Sequence, residues 1–207
     1  MTPKRLIVAI TGASGFVYGH RLLQLLQPLD LETHLVISRS ALLTMACETA
    51  LKLSDVTGLA DRYHRNDDVA ACIASGSFRT LGMVVAPCSM KTLAEIACGT
   101  GSTLVARAAD VVLKERKRLV LLARETPLTL THLRNMATVT EMGAVVAPPV
   151  PAFYARPAGL DQMVDHTLGR VLDLFDIDVS AVRRWTGPVS GRSTDLAKGE
   201  LSNHAVL

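Results

Sequence analysis

Arg124 and Glu125 stand side by side directly after an apolar run, Leu119–Ala123, and Lys114 lies in the helical segment before it. In a parallel α/β sheet, ligands bind just outside the carboxyl ends of the strands, so this charged pair belongs to a cleft. A guanidinium can grip two oxygens of a phosphate at once, and a neighbouring carboxylate can move a proton. Small hydroxyl residues mark three strand ends: Ser14, Ser38, and Ser89 with Thr92. Each has a second reading as a helix N-cap, the commoner role of such a serine. Their recurrence at successive strand ends favours a mononucleotide phosphate held by hydroxyls and backbone amides.

The turn Gly12-Ala13-Ser14-Gly15 offers N–H groups and a helix N-terminus to an anion. It departs from the dinucleotide fingerprint, which needs its third glycine three residues after the second. Tyr18 occupies that place, and the glycine comes one residue late, at Gly19. The acidic residue expected at the end of strand two is replaced by Ser38-Arg39; Arg39 would suit a 2′-phosphate, which leaves NADP open on this point. No Tyr is followed four residues later by Lys, the pair short-chain reductases use, so a nicotinamide reductase is disfavoured.

Alternating strands and helices must hold these groups. The pattern gives strands at Leu6–Ile10, Leu31–Ile37, Met83–Ala86, Leu119–Ala123 and Ala144–Ala147. Helices are expected through His20–Leu26, then in a segment carrying Leu43, Met45 and Glu48 that Ser40 can cap, and again after Ser89. Further helices follow at Thr103–Arg116, Leu128–Glu141 and Gly159–Phe175. The stretch 52–68 reads as an irregular connection, Val69–Ala74 as a short helix, and PPVPAFYARP as too rich in proline for either element. The alternation predicts an α/β, Rossmann-like (flavodoxin-like) three-layer sandwich with a parallel sheet, over residues 1–186. Residues 187–207 turn polar and patternless and read as a C-terminal tail.

Composition narrows the class. Hydrophobic residues make up 49% of the 207 and aromatics only 4%, with a mean hydropathy of +0.29. No apolar run is long enough to cross a bilayer, so the surplus of Ala, Val and Leu suits subunit interfaces, and a homo-oligomer is expected. The net charge of +3 is too small and too scattered to argue for nucleic acid. Cys47, Cys72, Cys88 and Cys98 show no C-x-x-C, and the six histidines are dispersed, so the cysteines read as reduced core thiols and no metal site is expected. The first residues run straight into a strand and glycine turn without a cleavable signal, which predicts a cytoplasmic protein.

Taken in order, the segments TGASG, SRSA, MACET, PCSMKTLAEIACG, RAADVVLKER, the Arg-Glu-Thr-Pro turn, GAVVAPPVPAFY and Arg184-Trp185 resemble the UbiX-type flavin prenyltransferases from about Lys4 to Trp185. The resemblance implies a dodecamer that binds reduced FMN and transfers a dimethylallyl group from its phosphate ester to N5 and then C6. The prenylated FMN would serve a separate UbiD-type decarboxylase, as in ubiquinone biosynthesis. It places flavin contacts at Gly12, Ala13, Ser14, Ser38, Ser89, Met90, Lys91, Thr92, Arg107 and Arg124, and prenyl-phosphate contacts at Lys114, Arg124, Tyr154 and Arg170. Glu48, Glu125, Ser14 and Trp185 take catalytic roles by the same resemblance. Ala123 departs from it, standing where some members have proline, and residues 188–207 extend beyond the usual end.

An allylic phosphate ionises when fixed cations meet the charge that leaves with the phosphate. Lys114, Arg124 and Arg170, with the Tyr154 hydroxyl, can do this without a metal, and the chain has no aspartate cluster other than Asp67-Asp68. The indole of Trp185, the only one in the chain, can face the allyl cation. Closure at C6 releases a proton, for which Glu125 and Glu48 are the candidate bases. Plainer roles exist for each: a solvated KERKR helix end for Lys114, an interface plug for Trp185, and surface positions for Arg170 and Glu48. Two other classes share such a fold. An FMN-dependent cysteine-type decarboxylase would carry a PASANT-like segment and a P-x-M-N motif, neither of which occurs. A non-catalytic subunit of a decarboxylase complex would not need the full cationic set.

Overall fold

Every residue from Leu6 to Ile10 is buried, a pattern that suits a strand covered on both faces. The computed structural model describes residues 3–179 with Val182, Arg184 and Gly187. In it the chain forms β1 (Arg5–Ile10), α1 (Phe16–Leu26), β2 (Glu32–Ile37), α2 (Arg39–Glu48), α3 (Leu53–Thr57), β3 (Arg62–Arg65), β4 (Gly82–Cys88) and α4 (Met90–Ala97). It continues through α5 (Leu104–Lys114), β5 (Arg118–Ala123), α6 (Leu130–Glu141), β6 (Val145–Val146) and α7 (Leu160–Asp173), with 3-10 turns at Cys72–Ala74 and Phe153–Ala155.

The six strands are all parallel, in the order β3-β2-β1-β4-β5-β6. The direction of winding reverses between β1 and β4, and the crevice of a doubly wound sheet opens there. Alternate residues of β1 feed opposite cores, as strand geometry requires. Leu6, Val8 and Ile10 pack with Phe16, Leu22, Met45, Val56 and Leu168, on the side of α1, α2, α3 and α7. Ile7 and Ala9 pack with Leu93, Leu104, Val105 and Val139, on the side of α4, α5 and α6. The expected three-layer α/β sandwich is therefore the fold.

The displaced glycine of the first turn has a packing reason. A Cβ on Gly19 would lie 2.5 Å from the Ala86 carbonyl oxygen and 2.6 Å from the Ile10 side chain, so glycine lets α1 press against the sheet. Gly19→Ala is expected to push α1 outward and cost about 1–3 kcal/mol, the usual price of overpacking. Denaturant unfolding followed by circular dichroism measures it; an unchanged midpoint would remove this reading.

Three local expectations are corrected. Residues 52–68 are not an irregular connection: they contain α3 and the edge strand β3, whose side chains are mostly exposed and so lack the apolar alternation that marks a strand. The short helix expected at Val69–Ala74 shrinks to the turn Cys72–Ala74. Ser38, rather than Ser40, caps α2, its hydroxyl accepting from the Ala41 N–H at 3.2 Å. The expected tail, 187–207, lies outside the described residues apart from Gly187. Among the described residues no helix is long and apolar enough to cross a membrane.

Candidate active site

The carboxyl ends of the central strands are fastened to one another before they meet any ligand. The buried Thr11 hydroxyl donates to the Pro87 carbonyl at 2.8 Å and accepts from the Ser89 N–H at 2.8 Å, joining β1 to the end of β4. Ser38 N–H donates to Ile10 O at 3.0 Å, and Arg124 N–H donates to Cys88 O at 3.1 Å. These bonds set the loops after β1, β2, β4 and β5 at fixed spacing. Thr11→Val keeps the shape but takes the acceptor from the half-buried Ser89 N–H and leaves the Pro87 carbonyl only the Thr11 N–H, at 3.2 Å. It is expected to cost about 1–3 kcal/mol in stability and to weaken ligand binding at the adjoining loop, measured by thermal melts and ligand titration.

Three helices start on this rim, each with a capping side chain. Ser38 caps α2, Ser89 accepts from Thr92 N–H at 3.3 Å at the head of α4, and Thr103 accepts from Ala106 N–H at 3.3 Å at the head of α5. Asn66 reinforces α5, its carbonyl accepting from Leu104 N–H at 2.8 Å and its side chain from Val105 N–H at 3.1 Å. The cap reading and the site reading of the serines thus hold together: each cap aims a helix N-terminus, with its partial positive charge, into the same space.

The start of α1 is different. Gly15 is in the left-handed region, φ 100°, and the N–H groups of Gly15 and Phe16 donate to the Glu48 carboxylate at 2.9–3.1 Å. The anion at this helix N-terminus is the protein's own, which corrects the expectation that the whole glycine turn serves a ligand. Burial alone would raise the Glu48 carboxyl. The Ser14 hydroxyl and the Phe16 and Gly15 N–H groups, with Arg124 nearby, outweigh it and hold the carboxyl below its ordinary value. Glu48 is therefore an ionised, well-oriented carboxylate that fixes Ser14.

The rim encloses a cleft of about 570 Å³, within the size range of small-molecule sites. Gly12, Ala13, Ser14, Ser38, Ser89, Met90, Lys91, Thr92, Arg124 and Glu125 all line it, together with Arg39, Ser40, Asn66, Glu95, Thr103 and Val105. Arg124 also acts on Tyr18, whose phenol burial pushes up while the guanidinium pulls it down. A comparable hollow of about 600 Å³, lined by Ile73, Phe78, Arg79, Val111, Glu115 and Lys117, has no such set of helix starts.

A flavoprotein family model matches residues 1–182. The flavin prenyltransferase UbiX of Neisseria meningitidis serogroup B is 55% identical over 184 residues, 89% of this chain and 97% of that protein. A crystal structure of AnUbiX (PadA1) in complex with FMN and dimethylallyl pyrophosphate superposes with a TM-score of 0.88, at 52% identity, covering 89% of this chain and 98% of that one. The chain belongs to the flavin prenyltransferase family. A dodecameric FMN-dependent UbiX-like decarboxylase from Escherichia coli O157:H7 superposes with a TM-score of 0.86, at 51% identity, over 88% of this chain and 100% of that one.

The residues fit the family's flavin. A mononucleotide needs one phosphate cradle, which the capped starts of α2, α4 and α5 with hydroxyls on the rim would supply. Of the flavin contacts expected by resemblance, Arg107 alone is not in the wall: it is exposed in the first turns of α5, just beyond Thr103.

The other family positions are not gathered by one chain. Lys114 ends α5, at the amino edge of the sheet, and its ammonium pairs with Glu115 at 2.8 Å beside Gly76. Arg170 is near the end of α7 and pairs with Asp173 at 2.6 Å. Tyr154 is in the turn after β6, its hydroxyl 3.4 Å from His166 Nε2. None of the three lines the cleft. Trp185 lies outside the described residues. Sequence reasoning missed Thr11 as a fastener and Asn66 as a wall residue; the only signal for Asn66 was an asparagine ahead of a helix it does not adjoin in sequence.

The expected dispersal of metal-ligating residues is also corrected. His34, His64 and Cys72 bring their ligand atoms within 4.8 Å of one another, because β2 and β3 are neighbours and the turn after β3 folds back beside them.

Proposed function

We propose that this chain transfers a dimethylallyl group from dimethylallyl monophosphate to N5 and then C6 of reduced FMN, and that a UbiD-type decarboxylase receives the product. The carrying observation is the convergence of three capped helix starts, the strand-end hydroxyls and Arg124 on one cleft in a chain of this family. The reduced flavin supplies the nucleophilic atoms. In the first step the allylic C–O bond breaks, a bond to N5 forms, and phosphate leaves with the bonding pair. Arg124 meets the charge on that phosphate. In the second, the proton shed by N5 on alkylation goes to the CH carbon of the allyl double bond, and the tertiary carbon bonds to C6. The C6 proton departs to Glu125, which stands beside Arg124 at the cleft wall. Ser14, fixed by the Glu48 carboxylate, holds the flavin edge.

Lys114, Tyr154 and Arg170 complete the phosphate site from neighbouring copies, since one chain holds them away from its own cleft. A closed oligomer, in our reading a dodecamer, provides those neighbours. Large apolar side chains left exposed around the molecule, among them Leu43, Leu130, Val150, Phe153 and Leu160, supply contact surface for it. The charge is met by side chains, so added Mg²⁺ is expected to leave turnover unchanged. Titration with FMN, FAD, NADH and NADPH tests the site itself. FMN is expected to bind tightest; preference for a nicotinamide nucleotide would contradict the proposal, and dependence on Mg²⁺ would transfer the phosphate role to a metal.

A further inference from the structure

We propose that His34, His64 and Cys72 form a site for a borderline-soft divalent cation such as Zn²⁺, separate from the cleft and with a structural role. His34 is buried on β2, His64 is half-buried on β3, and Cys72 is exposed in the turn after β3. Two imidazoles and a thiolate are a donor set that such cations favour over Mg²⁺ or Ca²⁺.

The surroundings already orient the ligands. Glu32 accepts the Nε–H of Arg5 at 2.7 Å and faces Nε2 of His34 at 3.2 Å. The carboxylate therefore keeps the proton of His34 on Nε2 and turns the lone pair of Nδ1 toward His64. That is the carboxylate–histidine arrangement found behind metal-bound imidazoles. Phe78 and the His34 ring pack edge to face with 5.0 Å between centroids, and Arg5 lies over Phe78 at 4.5 Å, which holds the assembly in place. Burial keeps both imidazoles below their ordinary pKa. Their mutual repulsion lowers His34 further while Glu32 partly offsets it, and Asp68 and Arg62 act in opposite directions on His64.

At present His34 Nδ1 and His64 Nε2 lie 2.9 Å apart and share one proton. Tetrahedral zinc with Zn–N of about 2.0–2.1 Å sets two ligand nitrogens about 3.3 Å apart, so the rings need to separate by only about 0.4 Å. On binding, the His64 proton moves to its Nδ1, the Cys72 thiol releases one proton, and water takes the fourth position on the exposed side. The cation would pin the edge strand β3 and the following turn to β2. Asn66, which caps α5 and lines the cleft, is two residues beyond His64, so the pinned segment borders the cleft without supplying a ligand from it.

The test uses the full chain, reduced and stripped of metal, titrated with Co²⁺. One equivalent per chain is expected, with the visible bands of a tetrahedral site, a near-ultraviolet thiolate-to-cobalt band, and displacement by Zn²⁺. Cys72→Ser, an exposed position that should leave folding intact by circular dichroism, is expected to abolish the thiolate band and weaken binding tenfold or more. His64→Gln should weaken it similarly, and Zn²⁺ should raise the melting temperature of the native chain but not of either variant. Absence of saturable binding, or a thiolate band that survives Cys72→Ser, would overturn the site.

Discussion

Mixed oligomers assembled from Arg124→Ala and Lys114→Ala subunits are expected to recover turnover that neither variant shows alone. On the proposed mechanism each substitution removes a charge-assisted hydrogen bond to the leaving phosphate. Such bonds are worth about 1.5–3 kcal/mol, so each homogeneous variant should lose roughly 10- to 150-fold. Arg124 lines the cleft of its own chain, whereas Lys114 stands at the far end of α5 beside Glu115. If each site draws the two from different copies, random mixing leaves roughly a quarter of sites with both native residues. Activity should rise to about that fraction of native, read from phosphate release after co-refolding or co-expression. A mixture no more active than the mean of its parents would place both residues in one chain's site, or remove Lys114 from it.

The two glutamates are expected to separate cleanly. Glu125→Gln should keep flavin bound and slow turnover about 10²- to 10⁴-fold, the range for loss of a positioned acid or base. Glu48→Gln should act first on stability, because its carboxylate caps α1 through Gly15 and Phe16. Loss of a cap of this kind costs about 0.5–2 kcal/mol, and the exposure of the carboxylate favours the lower end. The pH dependence follows from its depressed pKa. The stabilising contribution is complete above the unfolded glutamate value and is lost as pH falls through the lower folded one. Below the ordinary value of 4.5, native stability should therefore decline more steeply than that of Glu48→Gln. Equal acid sensitivity would show that the cap does not hold Glu48 ionised. Unchanged bond-forming rates in Glu125→Gln would remove that residue from proton transfer.

The layers of the fold were legible because burial on both faces of β1, β4 and β5 leaves continuous apolar runs, and because glycines and capping serines punctuate them. Most of the cleft wall was legible for the same reason: in a parallel sheet every strand end faces the same rim, so Ser14, Ser38, Ser89 and Arg124 had to meet. What failed depends on pairing across distance. The edge strand β3 has no alternation to read, since only His64 in Arg62–Arg65 is turned inward. The bridge from Thr11 to Pro87 and Ser89, and the seizure of the α1 start by Glu48, join residues 32 to 78 positions apart. The cluster of His34, His64 and Cys72 was hidden likewise, because no spacing rule links a buried strand, an edge strand and a turn. Lys114 and Arg170 expose the limit of one chain: their sequence context resembles the family's phosphate site, yet their own helices carry them to the opposite edge.

Anaerobic incubation of the full chain with reduced FMN and dimethylallyl monophosphate, followed by mass spectrometry of the extracted flavin, tests the central claim most directly. The flavin is expected to gain one C5H8 unit, with release of one inorganic phosphate for each flavin modified. Flavin recovered unmodified, while bound in the cleft and in the presence of the intact donor, would contradict it.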